Sequence, residues 1–205
     1  MTRPIAVVGL AFILALISCS YFSGYAPKPG DIVFQDLNSP QAQAVKLATG
    51  SQYTHCGIIF EQDNNFVVYE AVGPTRVIPL QDWIRQGVKG HFVARRIDTL
   101  LAHLTDESLA RMRQVGESHL GKPYDPVFNW SDSQMYCSEL VWKIYRDGLG
   151  LELAPLRKLG GYQIEHPAVR QKLRERYGDS IPLQEPVIAP ADLMASERLK
   201  QVYSN

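Results

Sequence analysis

A β-hairpin signal between residues 54 and 72 constrains the fold of this chain more than any other feature. The runs THCGIIFE (54–61) and FVVYEAV (66–72) are rich in β-branched and aromatic residues, and a polar QDNN stretch separates them. Such runs around an Asp/Asn turn predict two antiparallel strands. Any fold of this chain must therefore cover the faces of that hairpin.

The same hairpin decides which side chains share a face of the sheet. If its turn contains two residues, Asp63-Asn64 or Asn64-Asn65, odd positions of one strand lie opposite even positions of the other. His55 and Glu70 then lie on one face, whereas an odd or bulged loop would separate them. Each residue alone has an ordinary interpretation, because His55 can be a satisfied structural histidine and Glu70 a strand-end carboxylate that reaches solvent.

Signals for further strands and helices surround the hairpin. Strands are predicted at 30–35 and 91–97, and helices at 39–50, 105–121, 137–148 and 167–178. The first two helices start at the N-cap residues Ser39 and Thr105, and glycines follow several helix ends. Residues 30–205 are therefore predicted to form one α+β domain, a small antiparallel sheet or barrel packed against helices.

A cysteine opens the helix predicted from residue 137. In YCSELVWK, Cys137 is followed at i+4 and i+7 by Val141 and Ile144, so one helix face is apolar and begins with the thiol. Free N–H groups and the macrodipole at a helix N-terminus stabilise a thiolate. A histidine base and a polar group that orients it would complete a nucleophilic site, and His55 and Glu70 are the candidates.

Charge and histidine spacing exclude other classes of protein. The chain carries 21 basic and 21 acidic residues, a neutral balance that argues against binding nucleic acid through its phosphates. None of the five histidines stands at metal-ligand spacing from another, which gives little support to a zinc site. The predicted thiol chemistry requires no metal or organic cofactor.

Cys56 is the second cysteine of the predicted domain. A Cys56–Cys137 disulfide is the alternative to a reactive thiol, as in many proteins of oxidising compartments. Because Cys56 follows His55 on a strand, its side chain points to the opposite face. If His55 faces Cys137, we expect Cys56 to face away from it and to be a small buried thiol.

The N-terminal sequence predicts a secretion signal. Arg3 is followed by an uncharged apolar run from Ile5 to Ile17, too short to cross a bilayer comfortably but long enough for a signal-peptide core. LISC, which ends at Cys19, resembles the lipobox of bacterial lipoproteins. Residues 1–18 are thus predicted to be a lipoprotein signal peptide, Cys19 the lipidated residue and 19–29 a tether. The residue after the cysteine is not Asp, which predicts a periplasmic protein anchored in the outer membrane; an ordinary secretory signal or an uncleaved anchor are the alternatives.

Five strings stand in an order that resembles a known family. GDIVFQ, YTHCGIIF, YEAVGP, GKPYD and YCSELVWK are similar to YiiX-like proteins of the YiiX, YebB and YaeF type, over roughly Gly30 to Ala191. These proteins are a branch of the NlpC-type cysteine hydrolase superfamily with a circularly permuted papain-like fold. In the permuted order the histidine precedes the nucleophile, as His55 precedes Cys137.

The resemblance also implies roles for individual residues. It implies that Cys137 is the nucleophile, His55 the general base and Glu70 the third polar member. It further implies a tyrosine that hydrogen-bonds near the nucleophile, which GKPYD assigns to Tyr124 as an O–H donor to the oxyanion. A packing aromatic in a Pro-containing turn is an equally good interpretation of Tyr124, and Tyr136 competes for the donor role.

These observations together predict a cell-envelope cysteine hydrolase that cleaves an amide or ester through a thioester intermediate. The expected substrates are peptides, such as a peptidoglycan stem peptide, or the lipid-like amides and esters on which permuted relatives act. The alternatives are an acyltransferase, a binding module without turnover and a structural lipoprotein with bridged thiols. An intact set of Cys, His and Glu argues against a module that only binds.

Overall fold

The computed structural model of the protein describes residues 24–205, and within them eight strands and six α-helices. The strands are β1 (Ile32–Gln35), β2 (His55–Gln62), β3 (Asn65–Glu70), β4 (Arg76–Pro79), β5 (Val93–Ile97), β6 (Arg157–Lys158), β7 (Pro186–Val187) and β8 (Leu199–Ser204). The helices are α1 (Pro40–Thr49), α2 (Leu80–Gln86), α3 (Asp106–Ser118), α4 (Cys137–Leu149), α5 (Pro167–Tyr177) and α6 (Pro190–Met194). The predicted signal peptide and the lipidation at Cys19 lie outside the described residues.

One antiparallel sheet organises the domain, with strand order β4-β3-β2-β1-β5-β8. The α+β prediction is confirmed, and each strand and helix predicted for residues 30–178 is present. The sequence analysis did not identify β8, which forms one edge of the sheet by pairing with β5. That pairing joins residues about a hundred positions apart, for example Ile97 and Leu199. No local turn signal predicts such a pairing.

The β2–β3 hairpin has the two-residue turn that places His55 and Glu70 on one face. Gln62 pairs with Asn65, and Asp63 and Asn64 between them have φ values of 51° and 60°. Positive φ at both central residues is typical of a type I′ turn, which asparagine and aspartate tolerate. The prediction about the shared face is confirmed.

Helices cover the two faces of the sheet unequally. On one face, Phe34 and Ile58 pack against Leu140 and Ile144 of α4, in the larger hydrophobic cluster. Helix α3 lies against α4, and Gly148 permits this close approach because a Cβ there would lie 2.6 Å from the Met112 Cα. Helix α4 is consequently buried almost all round.

Helix α2 covers the other face of the sheet. Trp83 and Leu80 of this helix pack on Val33, Ile59 and Val68. A third, smaller cluster lies between α1 and α5, and it forms one side of a cavity described below. Over residues 24–205, no helix has the length and apolar character needed to cross a membrane.

Candidate active site

Cys137 is the first residue of α4, and the preceding loop leaves the helix start open. Tyr136 is the N-cap residue with extended backbone, and its side chain makes no capping hydrogen bond. The loop closes through a parallel bridge between Tyr124 and Met135, which brings Tyr124 beside the helix start. The first N–H groups of α4 are therefore available to an anion next to the Cys137 sulfur.

His55 is the first residue of β2 and is buried. Its Nε2 lies 2.7 Å from Glu70 Oε2, as the shared face requires. Burial by itself lowers the pKa of His55, but hydrogen bonds and charge from Cys137 and Glu70 outweigh burial and raise the pKa from 6.5 to about 9. The imidazolium form is thus stabilised between a carboxylate and a thiolate.

Glu70 is fully buried and is held by donors that the sequence analysis missed. Arg76 donates to Oε1 from Nε at 2.9 Å and from Nη2 at 2.8 Å, and Gln86 Nε2 lies 3.4 Å away. Burial raises the pKa of Glu70, but its bonds to His55 and Arg76 outweigh burial and lower it. Arg76 is the direct cross-strand partner of Glu70, so the β3–β4 register is the signal that would have found it.

Trp83 is a further residue of the site that the sequence analysis missed. Its ring stacks on the His55 ring, with 5.8 Å between centroids and 28° between planes. Gly57 makes room for this arrangement, because a Cβ there would lie 2.4 Å from Val68 Cγ1 and 3.4 Å from Trp83 Nε1. The glycine of THCGIIF and a tryptophan from α2 together fix the orientation of the imidazole.

Cys56 lies beside Cys137, which corrects the expectation that it would face away. Strand alternation holds, since Cys56 belongs to the cluster packed on α4 whereas His55 stacks on Trp83. Because His55 and Cys56 are the first two residues of β2, the start of α4 meets the end of the strand, and the Cys137 sulfur comes within hydrogen-bonding range of both. Within the described chain, both cysteines are free thiols.

The environment of Cys137 favours its thiolate. Hydrogen bonding from the Cys56 thiol, then from His55 and the Cys56 backbone N–H, lowers the pKa of Cys137 well below its ordinary value in spite of burial. Burial and the neighbouring Cys137 raise the pKa of Cys56 instead. Cys137 is therefore the charged acceptor of this hydrogen bond, and Cys56 is the neutral donor.

The two candidate tyrosines differ in what their hydroxyls bind. The Tyr136 hydroxyl accepts a hydrogen bond from the Ile188 N–H at 3.3 Å, and the residue is almost fully buried. Tyr124 is half-buried and lines the cavity with Cys137. Burial and the nearby Cys137 charge raise the pKa of Tyr124, so its O–H is retained as a donor. This geometry favours Tyr124 as the donor and a structural role for Tyr136.

A largely apolar cavity of about 100 Å³, open at its mouth, extends from Cys137 between α1 and α5. Apolar side chains dominate its wall, including Val45, Ala48, Leu159, Val169, Leu173 and Ile188. The reactive thiol therefore stands at the wall of a space suited to an apolar group.

Comparisons with known proteins agree with this architecture. The sequence model of the family described as "Permuted papain-like amidase enzyme, YaeF/YiiX, C92 family" matches residues 26–203. The Escherichia coli (strain K12) protein described as "Uncharacterized protein YiiX" is 39% identical over 193 residues, which cover 94% of each protein. The crystal structure described as "metalloprotein yiiX from Escherichia coli O157:H7, DUF1105" has a TM-score of 0.84 at 40% identity and covers 88% of this chain and 99% of that chain.

The word metalloprotein in the description of that structure raises the question whether residues of this chain fit a metal ion. Among residues 24–205, no three His, Cys, Asp or Glu side chains are grouped so that they could hold one. Glu70 is occupied by Arg76 and His55, which compete with any cation. The described residues thus do not fit a metal centre, and the chemistry below is derived from side chains alone.

Proposed function

This chain belongs to the permuted papain-like amidase family and is a cysteine hydrolase of the amidase type, and we propose that it works through Cys137, His55 and Glu70. The observation that carries the proposal is the continuous chain of contacts from the uncapped start of α4 to the buried carboxylate. A thiol at that helix start lies next to an imidazole that is 2.7 Å from Glu70.

In the first half-reaction, the Cys137 thiolate attacks the carbonyl carbon of an amide or ester, and a C–S bond forms. The backbone N–H at the α4 start and the Tyr124 hydroxyl are suited to stabilise the oxyanion. The C–N or C–O bond then breaks, and His55 gives its proton to the departing amine or alcohol. Glu70 keeps the imidazole oriented and stabilises its charged form.

In the second half-reaction, water replaces the leaving group. Neutral His55 removes a proton from the water, which attacks the thioester carbonyl. The C–S bond breaks, the acid is released, and Cys137 and His55 return to the thiolate–imidazolium pair. The sum is one amide or ester and one water giving one acid and one amine or alcohol.

Site-resolved alkylation of the folded, unreduced protein tests the nucleophile. Alkylation from about pH 5 to about pH 9, read by peptide mass spectrometry, should modify Cys137 well below the ordinary thiol pKa of about 8.5. The His55→Ala variant should slow this reaction, because the imidazolium counter-ion is lost. His103→Ala, at an exposed histidine, is the matched control and should leave the rate unchanged.

Two outcomes of that experiment would contradict the proposal. Recovery of Cys56 and Cys137 in one disulfide-linked peptide would remove the nucleophile and support a structural bridge. Modification of Cys137 only above the ordinary thiol pKa, with no effect of His55→Ala, would show that the contacts do not activate the thiol. Cys56 serves as an internal reference, since its raised pKa and its complete burial should keep it unmodified.

For the substrate, we propose an amide or ester whose acyl part is apolar. The apolar wall of the cavity beside Cys137 supports this class over a polar peptide. Hydrolysis of N-dodecanoyl and N-acetyl amides of one amine, compared with a peptidoglycan stem peptide, tests it. Faster turnover of the dodecanoyl amide is expected; faster cleavage of the stem peptide would favour the peptidase that the sequence also predicts.

For the location, we propose a periplasmic lipoprotein tethered to the outer membrane through Cys19. The apolar run after Arg3 and the LISC string support this proposal. Labelling of the protein with a radioactive fatty acid, together with membrane fractionation, tests it. Cys19→Ala should lose the label and leave the membrane fraction, whereas unchanged label would contradict the assignment.

A further inference from the structure

The charged residues of the cavity wall are both cations. The wall of the apolar cavity contains Lys172 and Arg176, both from α5, and no carboxylate among the described residues. The chain as a whole is electrically neutral, so this local excess is not a reflection of composition. An apolar space with only positive charge on its wall complements a ligand that is apolar and anionic.

The two cations differ in how their charge is compensated. Lys172 forms an ion pair with Glu175 at 2.5 Å, one turn along the same helix. Arg176 forms no ion pair with any described residue; it donates from Nη2 to Gln41 and lies over the Phe128 ring at 5.2 Å. Glu175 is thus already paired with the lysine. Of the two cations, only Arg176 has no carboxylate within ion-pair distance among the described residues, and Glu175 and Asp125 act on its charge from farther away.

A half-buried guanidinium without a carboxylate partner has most of its donors available. Arginine carries five N–H donors in a planar fork that fits a carboxylate or phosphate through two bonds. The hydrogen bond to Gln41 fixes the Arg176 side chain, but its acceptor is neutral and forms no ion pair with the guanidinium. Gln41, Phe128 and Arg176 all line the cavity, so the fork is held on its wall.

Arg176 also lies close to the reactive centre. Its charge acts on the Tyr124 hydroxyl, which in turn is influenced by the Cys137 sulfur. All three residues line one cavity. An anion bound to Arg176 would therefore lie in the same cavity as the carbonyl that Cys137 attacks.

We propose that Arg176 binds a carboxylate or phosphate of the substrate, so that the substrate is an anionic acyl amide such as a long-chain N-acyl amino acid. This inference rests on the proposed function, in which the acyl group occupies the apolar cavity. Arg176 is in this view a specificity-determining residue, because the anion is bound before and after the bond is cleaved.

Binding to the Cys137→Ala variant tests the inference without turnover. The calorimetric probes are N-dodecanoylglycine, N-dodecanoyl-phosphoethanolamine and the neutral N-dodecanoylethanolamine. We expect Arg176→Gln to lower the affinity for the better-bound anion by about tenfold or more. The affinity for the neutral amide should fall by less than about twofold. The tighter of the two anions identifies carboxylate or phosphate as the recognised group.

Two further variants separate recognition from structure. Arg170→Gln, at an exposed arginine of the same helix paired with Glu165, should change no affinity. Arg176→Lys keeps the charge but not the fork and should lose part of the affinity for anions only. Melting temperatures of all variants identify any that fail to fold.

Three results would overturn the inference. An equal loss of affinity for anionic and neutral ligands in Arg176→Gln would show that Arg176 only holds α1 and α5 together. Unchanged affinity for all three would remove the anion site, and so would the absence of binding by any probe. Cys137 alkylation and turnover by the wild-type protein remain separate measurements, so a failure here is distinguishable from a failure of the proposed hydrolase.

Discussion

Two buried glutamates near Cys137 experience opposite electrostatic environments. Glu70, on β3, is bound by His55, Arg76 and Gln86, and its pKa is lowered. Glu139 is the third residue of α4, and neither carboxylate oxygen accepts a well-aligned hydrogen bond from a described residue. Burial raises the pKa of Glu139 from 4.5 to about 7, although Lys143 Nζ lies 2.8 Å from Oε1.

The comparison shows that burial does not decide the charge of a carboxylate, because both side chains are fully buried. The donors that face the oxygens decide it. Three residues hold Glu70, which stays ionised, whereas the one cation beside Glu139 is shared with other acceptors. Lys143 donates to the Ser131 carbonyl and to Asp132. The first glutamate is thus suited to a permanent negative charge beside His55, and the second to a change of protonation near neutral pH.

Glu70→Gln is expected to have the largest effect on activity. Removing the negative charge lowers the pKa of His55 below about 9, because Glu70 is one of the groups that raise it. The kcat/KM for an activated amide should fall by about a hundredfold or more. The alkaline limb of its pH profile should move to lower pH.

Glu139→Gln is the matched control for that substitution, since it changes the other buried glutamate in the same way. If both variants lose activity equally, the distinction between the two carboxylates is wrong. If Glu70→Gln leaves the alkaline limb in place, Glu70 does not act through His55.

Arg76→Met should remove hydrogen bonds from Glu70 without removing the negative charge of that carboxylate. Arg76 is about half exposed, so part of its contribution is screened by solvent. We expect kcat/KM to fall by about tenfold, since the carboxylate loses two of its hydrogen bonds. Arg85→Met, at an exposed arginine of α2, should leave kcat/KM unchanged and serves as the control.

Lys143→Met should affect stability more than activity. The buried ammonium binds the Ser131 carbonyl at 2.6 Å and Asp132 at 2.7 Å and lies over the Trp130 ring, so it ties the loop to α4. Loss of these contacts should lower the free energy of unfolding by about 2–4 kcal/mol in urea denaturation. Activity should fall by only about threefold, because the contacts of Cys137 and His55 remain. A loss of activity as large as that of Glu70→Gln would show that this loop positions the thiol.

Glu139→Gln should have the smallest effect on activity, within about twofold. Its effect on stability depends on pH. Since the folded-state pKa is raised from 4.5 to about 7, the native protein binds the extra proton, and this group makes stability fall as pH rises across that window.

Glu70 contributes with the opposite sign. Its pKa is lowered, so its contribution to stability is present above pH 4.5 and is lost as pH falls through the folded-state pKa.

Unfolding free energies of wild type and Glu139→Gln between about pH 4.5 and pH 7 measure the pH-dependent contribution of Glu139. The Glu139→Gln variant should gain stability relative to wild type as pH rises. Parallel curves for the two proteins would contradict the raised pKa of Glu139.

Local signals in the sequence determined much of this protein. The β2–β3 hairpin, its two-residue turn and the start of α4 at Cys137 depend on residues that are neighbours in the chain. Turn chemistry and strand alternation act over a few residues, and they were sufficient to pair His55 with Glu70. They also supported the resemblance that identified the family.

Only the tertiary structure decided what surrounds those residues. Trp83 reaches His55 because α2 folds over the opposite face of the sheet, and β8 pairs with β5 from the far end of the chain. Cys56 comes beside Cys137 although its strand position is on the other face from His55. Alternation gives the direction of a side chain relative to its strand, but where a helix end meets that strand depends on packing between distant segments, which no local pattern encodes.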